Sequence, residues 1–297
     1  MSINTKAIKS RLGSVKNTHK ITRSMEKISA VKKQKFSNLA LESKRYSDLI
    51  VDTNNRFTNT LEITEQSPII LKNREIKNTL FLILTSDRGL CGSFNTNILK
   101  ATEQYYIKYK QEYNTRDIKV ISLGKKGAKF AKNNNLELLG IYERVYETPS
   151  YDMSFEISRN IVNKYINYEI DEVIIIYTNY QSSSLQNIII EKLLPFKNKN
   201  DEKKEEKNHE DYLIEPNISE LQEYILLKTI DTKIYQAILD SSASEHTSRM
   251  IAMKNASDNA NDLGYSLNLT YNKGRQSLIT QEVSEIVAGI EAIQNIN

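Results

Sequence analysis

Apolar residues recur at three- and four-residue spacing through the first sixty positions: Ile8, Leu12, Val15, then Thr22, Met25 and Ile28. His19 fills the gap on the same stripe, and Phe36, Leu39 and Tyr46 extend it less regularly. Such spacing places side chains on one narrow helical face. It predicts a helix from Asn4 to about Asn59, roughly 80 Å long at 1.5 Å per residue. The end of the chain repeats the pattern with Leu221, Tyr224, Ile225, Ile230, Ile234, Ile238, Met250, Met253, Ala256, Ala260 and Leu263. An irregularity is expected near Gly264 to Gly274, after which Leu278, Gln281, Glu285 and Ala288 or Gly289 continue the spacing. Val283, Ile286, Val287, Ile290 and Ile293 make the end strongly apolar. Neither arm can bury its stripe alone, so the two pair as an antiparallel coiled coil. Ser29, Ala30, Ala256, Ser257 and Ala260 let the axes approach closely. Pro68, Pro149, Pro195 and Pro216 all lie between the arms, as proline breaks helix interiors.

The middle of the chain alternates instead. Residues 79–87 read as a buried strand, followed by the turn DRGLCGSFN and a helix to about Tyr113 capped by Ser93 or Asn95. Strands are expected at 118–123, 136–142, 172–178 and 186–194, with helices over Lys125–Asn133 and from about Ser154 to Tyr168. Strand–helix alternation predicts a mostly parallel, Rossmann-like α/β domain, its last strand either parallel or antiparallel. The fold class is therefore α/β: a long two-helix coiled coil around a central domain. The expected extents are 1–60 for the first arm, 75–200 for the α/β domain and 212–297 for the second arm.

Composition changes this picture little, but charge does. The mean hydropathy of -0.52 is low and the net charge of +4 is ordinary. Residues 1–35, however, are crowded with Lys and Arg against a single acid, Glu26. A one-sided field of that kind seeks nucleic acid, anionic lipid or an acidic protein. No run of about 18 apolar residues predicts a transmembrane span. The single cysteine, Cys91, excludes an intrachain disulfide.

Candidate chemistry is sparse. Gly89 and Gly92 in DRGLCG suggest a phosphate loop, but neither GxGxxG nor the Lys-Ser/Thr motif is present, and the Gly124–Gly127 turn is as weak. Asp87 and Arg88 read as turn and partner-contact residues, and Cys91 as a small buried hydrophobe. His19, His209 and His246 are far apart, although His19 and His246 could approach across the helix pair. The loop 198–211 is charged and solvated.

Four runs resemble a known family: NTHKITRSMEKISAVKKQK (Asn17–Lys35), SDRGLCGSFN (Ser86–Asn95), SRMIAMKNASDNA (Ser248–Ala260) and LTYNKGRQSLITQEVSEIVAGIEAI (Leu269–Ile293). In this order they are similar to the signatures of the gamma subunit of rotary ATP synthases. The resemblance implies a central rotor shaft whose coiled coil turns inside a hexamer of alpha and beta subunits, one copy per three alpha and three beta. It also implies an inner domain that holds the epsilon subunit and the membrane ring of c subunits. It brings no catalytic residue, no cofactor and no metal.

Through the resemblance, Met25 corresponds to the shaft methionine opposite the acidic lever of the beta subunit, with Arg23 and Lys27 as flanking charge partners. Arg275, Gln276 and Thr280 match the polar group that meets loops of the beta subunit. Arg249 matches another coupling residue, expected to bond to Gln276 or Glu282. Asp87, Arg88, Gly89, Cys91 and Gly92 form the central-domain turn. Gly274 departs from the family, which commonly has a side chain there. A motif starting almost at Met1 implies a bacterial subunit, peripheral on the cytoplasmic side of the plasma membrane. The competing reading is a basic coiled-coil nucleic-acid-binding protein, against which stands the lack of any base-reading module. A free-standing α/β enzyme lacks a nucleophile–base arrangement.

Overall fold

The computed structural model describes residues 4–60, 68–71, 74–196 and 218–294. They form two compact units, Met1–Ser29 with Met250–Asn297, and Ala30–Arg249. The long helices α1 (Thr5–Thr60) and α5 (Ile218–Gln294) contribute residues to both. The charged loop and His209 lie outside the described residues.

In the larger unit a five-stranded sheet runs in the order β3-β2-β1-β4-β5, with β1 Asn78–Leu84, β2 Asp117–Leu123, β3 Glu137–Tyr142, β4 Glu172–Tyr180 and β5 Gln186–Leu194. The first four are mutually parallel and β5 returns antiparallel to β4, which settles the orientation the sequence left open. Central strand β1 reads as an unbroken apolar run because both its faces are covered. Leu80, Leu82 and Leu84 enter one core; Phe81 and Ile83 enter the other. The helices α2 (Phe94–Glu112) and α3 (Lys125–Asn133) cover the Phe81 face. After β3 the chain crosses back through α4 (Tyr151–Ile166) to β4 on the far side of β1, and α4 covers the Leu82 face. Right-handed crossovers in opposite directions require this division. It makes the junction of β1 and β4 the switch point of a doubly wound sheet.

Several element ends depart from the sequence reading. The strand β1 stops at Leu84 because Thr85, Ser86 and Asp87 turn away to cap α3. Ser93 stands at the start of α2 without a capping bond from its side chain, and Asn95 turns back to Ser86 instead. The helix α4 starts three residues before the expected Ser154, with Ser150 as its cap: Met153 N donates to Ser150 Oγ at 3.3 Å. No irregularity interrupts α5 between Gly264 and Gly274, as an isolated glycine costs about 1 kcal/mol in a helix without ending it.

The largest difference concerns α5, which the sequence assigns to a coil alone. Its Ile230, Ile234, Ala237 and Ile238 pack into the same core as α4 and the sheet. From Thr229 to Thr247 nearly every residue is buried, Asp231, Gln236, Asp240, Glu245 and His246 included. Buried polar groups must find partners. The hydroxyls of Thr229, Ser242 and Thr247 donate to carbonyls one turn back; Asp231 accepts from Ser158; Gln236 Nε2 donates to Ala40 O of α1 at 3.1 Å.

The α1 seam is also more polar than its apolar residues suggest. In the larger unit Phe36, Ser37, Ala40, Ser47 and Asn54 are buried, while Tyr46 is exposed and Leu39 only half-buried. The smaller unit buries Leu12, Thr22 and Ser29 from α1 with Met253, Ser257 and Ala260 from α5, and exposes Ile28. Thr22 satisfies its hydroxyl on the Thr18 and His19 carbonyls, and His19 Nδ1 lies 3.0 Å from Ser257 O. Small side chains allow the close approach that Ile28 would prevent. Gly264 sits beside Val15 as Ser257 sits beside His19, so the helices run antiparallel in this unit.

Candidate subunit-coupling sites

The turn after β1 is built by three residues that cap α3. Gly124 precedes that helix with φ +95° and has no side chain to offer; a Cβ there would lie 2.1 Å from Thr85 O. Its missing cap comes from across the sheet. Lys125 N donates to Asp87 Oδ1 at 3.1 Å, Lys126 N to Ser86 O at 3.3 Å and Gly127 N to Thr85 Oγ1 at 2.8 Å. Asp87 Oδ2 accepts from Arg144 N at 2.8 Å. The place an anion takes at a helix N-terminus is thus filled by the chain's own carboxylate. Arg88 is exposed and pairs with Glu147 at 3.0 Å.

The rest of the turn closes over Cys91. Leu90 (φ 62°) and Gly92 (φ 57°) adopt the left-handed conformation, so backbone geometry favours a glycine at 92, whereas Gly89 has no such φ. Cys91 is buried, but in polar company: Asn95 Nδ2 donates to its Sγ at 3.1 Å and to Ser86 Oγ at 2.7 Å. Thr85, Ser86 and Asn95 are parts of this site that sequence reasoning missed. The adjoining Thr-Ser-Asp run was the available signal, three capping-type residues at the end of a strand.

Arg249 reaches this turn from α5. Its Nη2 lies 2.6 Å from Glu245 Oε1 and donates to Gly89 O at 3.4 Å, while Nη1 lies 3.5 Å from His246 Nδ1. These partners all lie in its own unit, whereas Gln276 and Glu282, the partners the resemblance implies, belong to the other. His246 stacks on Phe36 of α1 at 5.5 Å. Burial first, then the Arg249 charge, pushes this imidazole down to about 3, so it accepts as the neutral ring. Burial pushes the Glu245 carboxyl up, and Arg249 pulls it back. His19 belongs to the other unit and bonds Ser257; among the described residues no three His, Cys, Asp or Glu side chains gather as a metal site.

In the smaller unit, Met25 is half-buried while Arg23 and Lys27 point to solvent on either side of it. Arg275, Gln276 and Thr280 are exposed, and Thr280 Oγ1 donates to Gln276 O at 3.0 Å, leaving the glutamine amide free of that bond. Gly274 is buried on the opposite side. Beyond them Val283, Ile286, Val287 and Ile290 are all about half exposed. A contiguous apolar helix end of this kind marks an interaction surface.

The ATP synthase sequence family matches residues 4–293. The chain is 35% identical to the ATP synthase gamma chain of Geobacter sp. (strain M21), covering 98% of this chain and 99% of that one. Against the gamma chain of Fusobacterium nucleatum subsp. nucleatum identity is 34%, with 97% and 99% covered. The chain belongs to the ATP synthase gamma chain family. As a gamma chain it is a subunit of ATP synthase.

The fold agrees. A chain of the Euglena gracilis mitochondrial ATP synthase (OSCP/F1/c-ring, rotational state 3) superposes with a TM-score of 0.68 at 21% identity, covering 97% of this gamma chain and 94% of that chain. The central stalk/c-ring structure from Tetrahymena thermophila gives 0.59 at 21% identity over 80% and 99%. None of these relatives is a nucleic-acid-binding protein by name, and the basic stripe of α1 needs no such partner to explain it.

Proposed function

We propose that this chain is the central rotor shaft of a bacterial-type ATP synthase, coupling transmembrane proton flow to ATP synthesis and hydrolysis. The observation that carries the reading is the pairing of gamma-family sequence over nearly the whole chain with an α5 end whose apolar side chains are left about half exposed among the described residues. A surrounding collar of alpha and beta subunits, three of each per shaft, buries that end. The basic residues of α1 then face acidic surfaces of the beta subunits.

Within this reading Met25, with Arg23 and Lys27, meets the acidic lever of a beta subunit. Arg275, Gln276 and Thr280 offer exposed donors and acceptors to beta-subunit loops. Arg249 and the Asp87–Gly92 turn link the shaft to the α/β layer. Because the shaft has no threefold symmetry, it touches three chemically identical beta subunits differently. Such differential contact is what shifts conformational equilibria. The α/β layer takes the epsilon subunit and the c ring. The complex holds the chain on the cytoplasmic side of the plasma membrane; no helix among the described residues is long and apolar enough to cross it.

The test is ATP hydrolysis by purified alpha and beta subunits with and without this chain, with assembly scored separately. One copy per hexamer and a large gain in turnover support the reading. A folded chain that neither assembles nor stimulates overturns it.

A further inference from the structure

Arg249 is 8% exposed, and its guanidinium must be satisfied inside the protein. Three groups surround it: the Glu245 carboxylate, neutral His246 and the Gly89 carbonyl. Glu245 lies one helical turn before Arg249 and is itself only 5% exposed. An i,i+4 pair that is this deeply buried fixes the guanidinium more tightly than a surface pair can, because neither side chain has water as an alternative partner. The direction so fixed aims Nη2 at Gly89 O, the backbone of the turn that shields Cys91.

We propose that Glu245 is a positioning residue: it aims Arg249 at the Gly89 carbonyl, and the pair latches the Asp87–Gly92 turn to α5. The turn is otherwise anchored to the α/β layer through Asp87, on Lys125 N and Arg144 N. With the latch closed, helix and layer move as one body. Resting on the rotor reading, the latch is a second route, beside the packing of Ile230, Ile234 and Ile238, by which torque on α5 passes into the layer.

Cys91 is the chain's single cysteine, so its thiol reports on the turn alone. The experiment is the rate of maleimide labelling of Cys91 in the full-length chain, wild type against Glu245→Gln, with helix content followed by circular dichroism. Loss of a buried charge-assisted bond raises the labelling rate about tenfold. Arg249→Met raises it as much, and the double variant no further, since the two residues act as a unit. Ile161→Val, in the core that α4 and α5 share with the sheet but not among the groups around Arg249, destabilises the fold without touching the latch and leaves the rate near wild type. If Glu245→Gln fails to fold, Glu245→Asp, which withdraws the carboxylate by one methylene, takes its place. Labelling at the wild-type rate in a folded variant, or equal acceleration in Ile161→Val, overturns the proposal.

A second arm measures ion transport per ATP hydrolysed by assembled complexes in vesicles. Glu245→Gln complexes hydrolyse ATP but transport fewer ions for each one; unchanged transport by an unlatched turn also overturns the torque role. Failure of the wild-type chain to assemble refutes the rotor reading, while the labelling still decides the latch.

Discussion

Two buried side chains on α5 titrate in opposite senses. Burial pushes the Asp240 carboxyl from 3.8 up to about 7, although Gln236, Lys44 and the Tyr180 backbone pull it down. Folded protein therefore holds a proton that the unfolded chain has released, and stability falls as pH rises from about 4 through 7. His246, pushed from 6.5 to about 3, does the reverse: the unfolded chain takes up the proton, so stability is lost as pH falls below about 6.5. Between about 4 and 6.5 the two slopes oppose each other. Asp240→Asn removes one of them. Urea titrations should show it more stable than wild type by roughly 2–4 kcal/mol at pH 8, with a smaller gain at pH 5 and a stability that rises with pH between 4 and 6.5. An equal gain at both pH values would count against a buried, proton-holding Asp240. The positions were legible from sequence as a helix; their burial was not, because an aspartate and a histidine on a helix ordinarily read as solvated.

At the scale of the element, the coil of the smaller unit has a gap. A Cβ at Gly264 would stand 3.7 Å from Val15 Cγ1, an ordinary contact, and the space beside it widens into a groove of about 650 Å³ lined by His19, Lys20 and Tyr265. Gly264→Ala should stabilise the chain by up to about 1 kcal/mol through helix propensity, read as a higher melting temperature by circular dichroism. A lower melting temperature would show that the glycine is needed there. Helical periodicity located α1 to within a residue and placed the patterned positions of the second arm inside the observed span of α5. On the seam it chose Ile28 and Tyr46, which are exposed, because it ranks residues by hydrophobicity; Ser29, Ser257 and Ala260, expected there for their small size, are buried, and Ser47 is a buried seam residue that neither argument found. Close helix packing instead selects small ones.

For the whole molecule, the decisive feature is apolar surface left over. Val283, Ile286, Val287 and Ile290 are about half exposed among the described residues. Replacing Ile286 and Ile290 by Gln should therefore leave helix content intact and stability within about 0.5 kcal/mol of wild type. In the rotor reading the same change sharply reduces assembly with purified alpha and beta subunits, measured by co-elution. Normal assembly and stimulation would move the buried contact elsewhere on the shaft. A drop in stability of the isolated chain would mean that its own residues cover the end.

Local rules were enough for much of this protein. Proline placement and three- to four-residue spacing set the two helical arms, alternating apolar runs set the parallel sheet, and four ordered motifs set the family. These are properties of neighbours along the chain, written at fixed short spacings. The rest depends on residues far apart in sequence. Asp87 caps a helix that begins 38 residues later, Arg249 finds Gly89 across 160 residues, and the polar stretch Thr229–Thr247 is buried only because a sheet and α1 close around it. No spacing encodes those meetings; the tertiary structure made them by giving Asp231 and the uncapped end of α3 partners that they could not find locally.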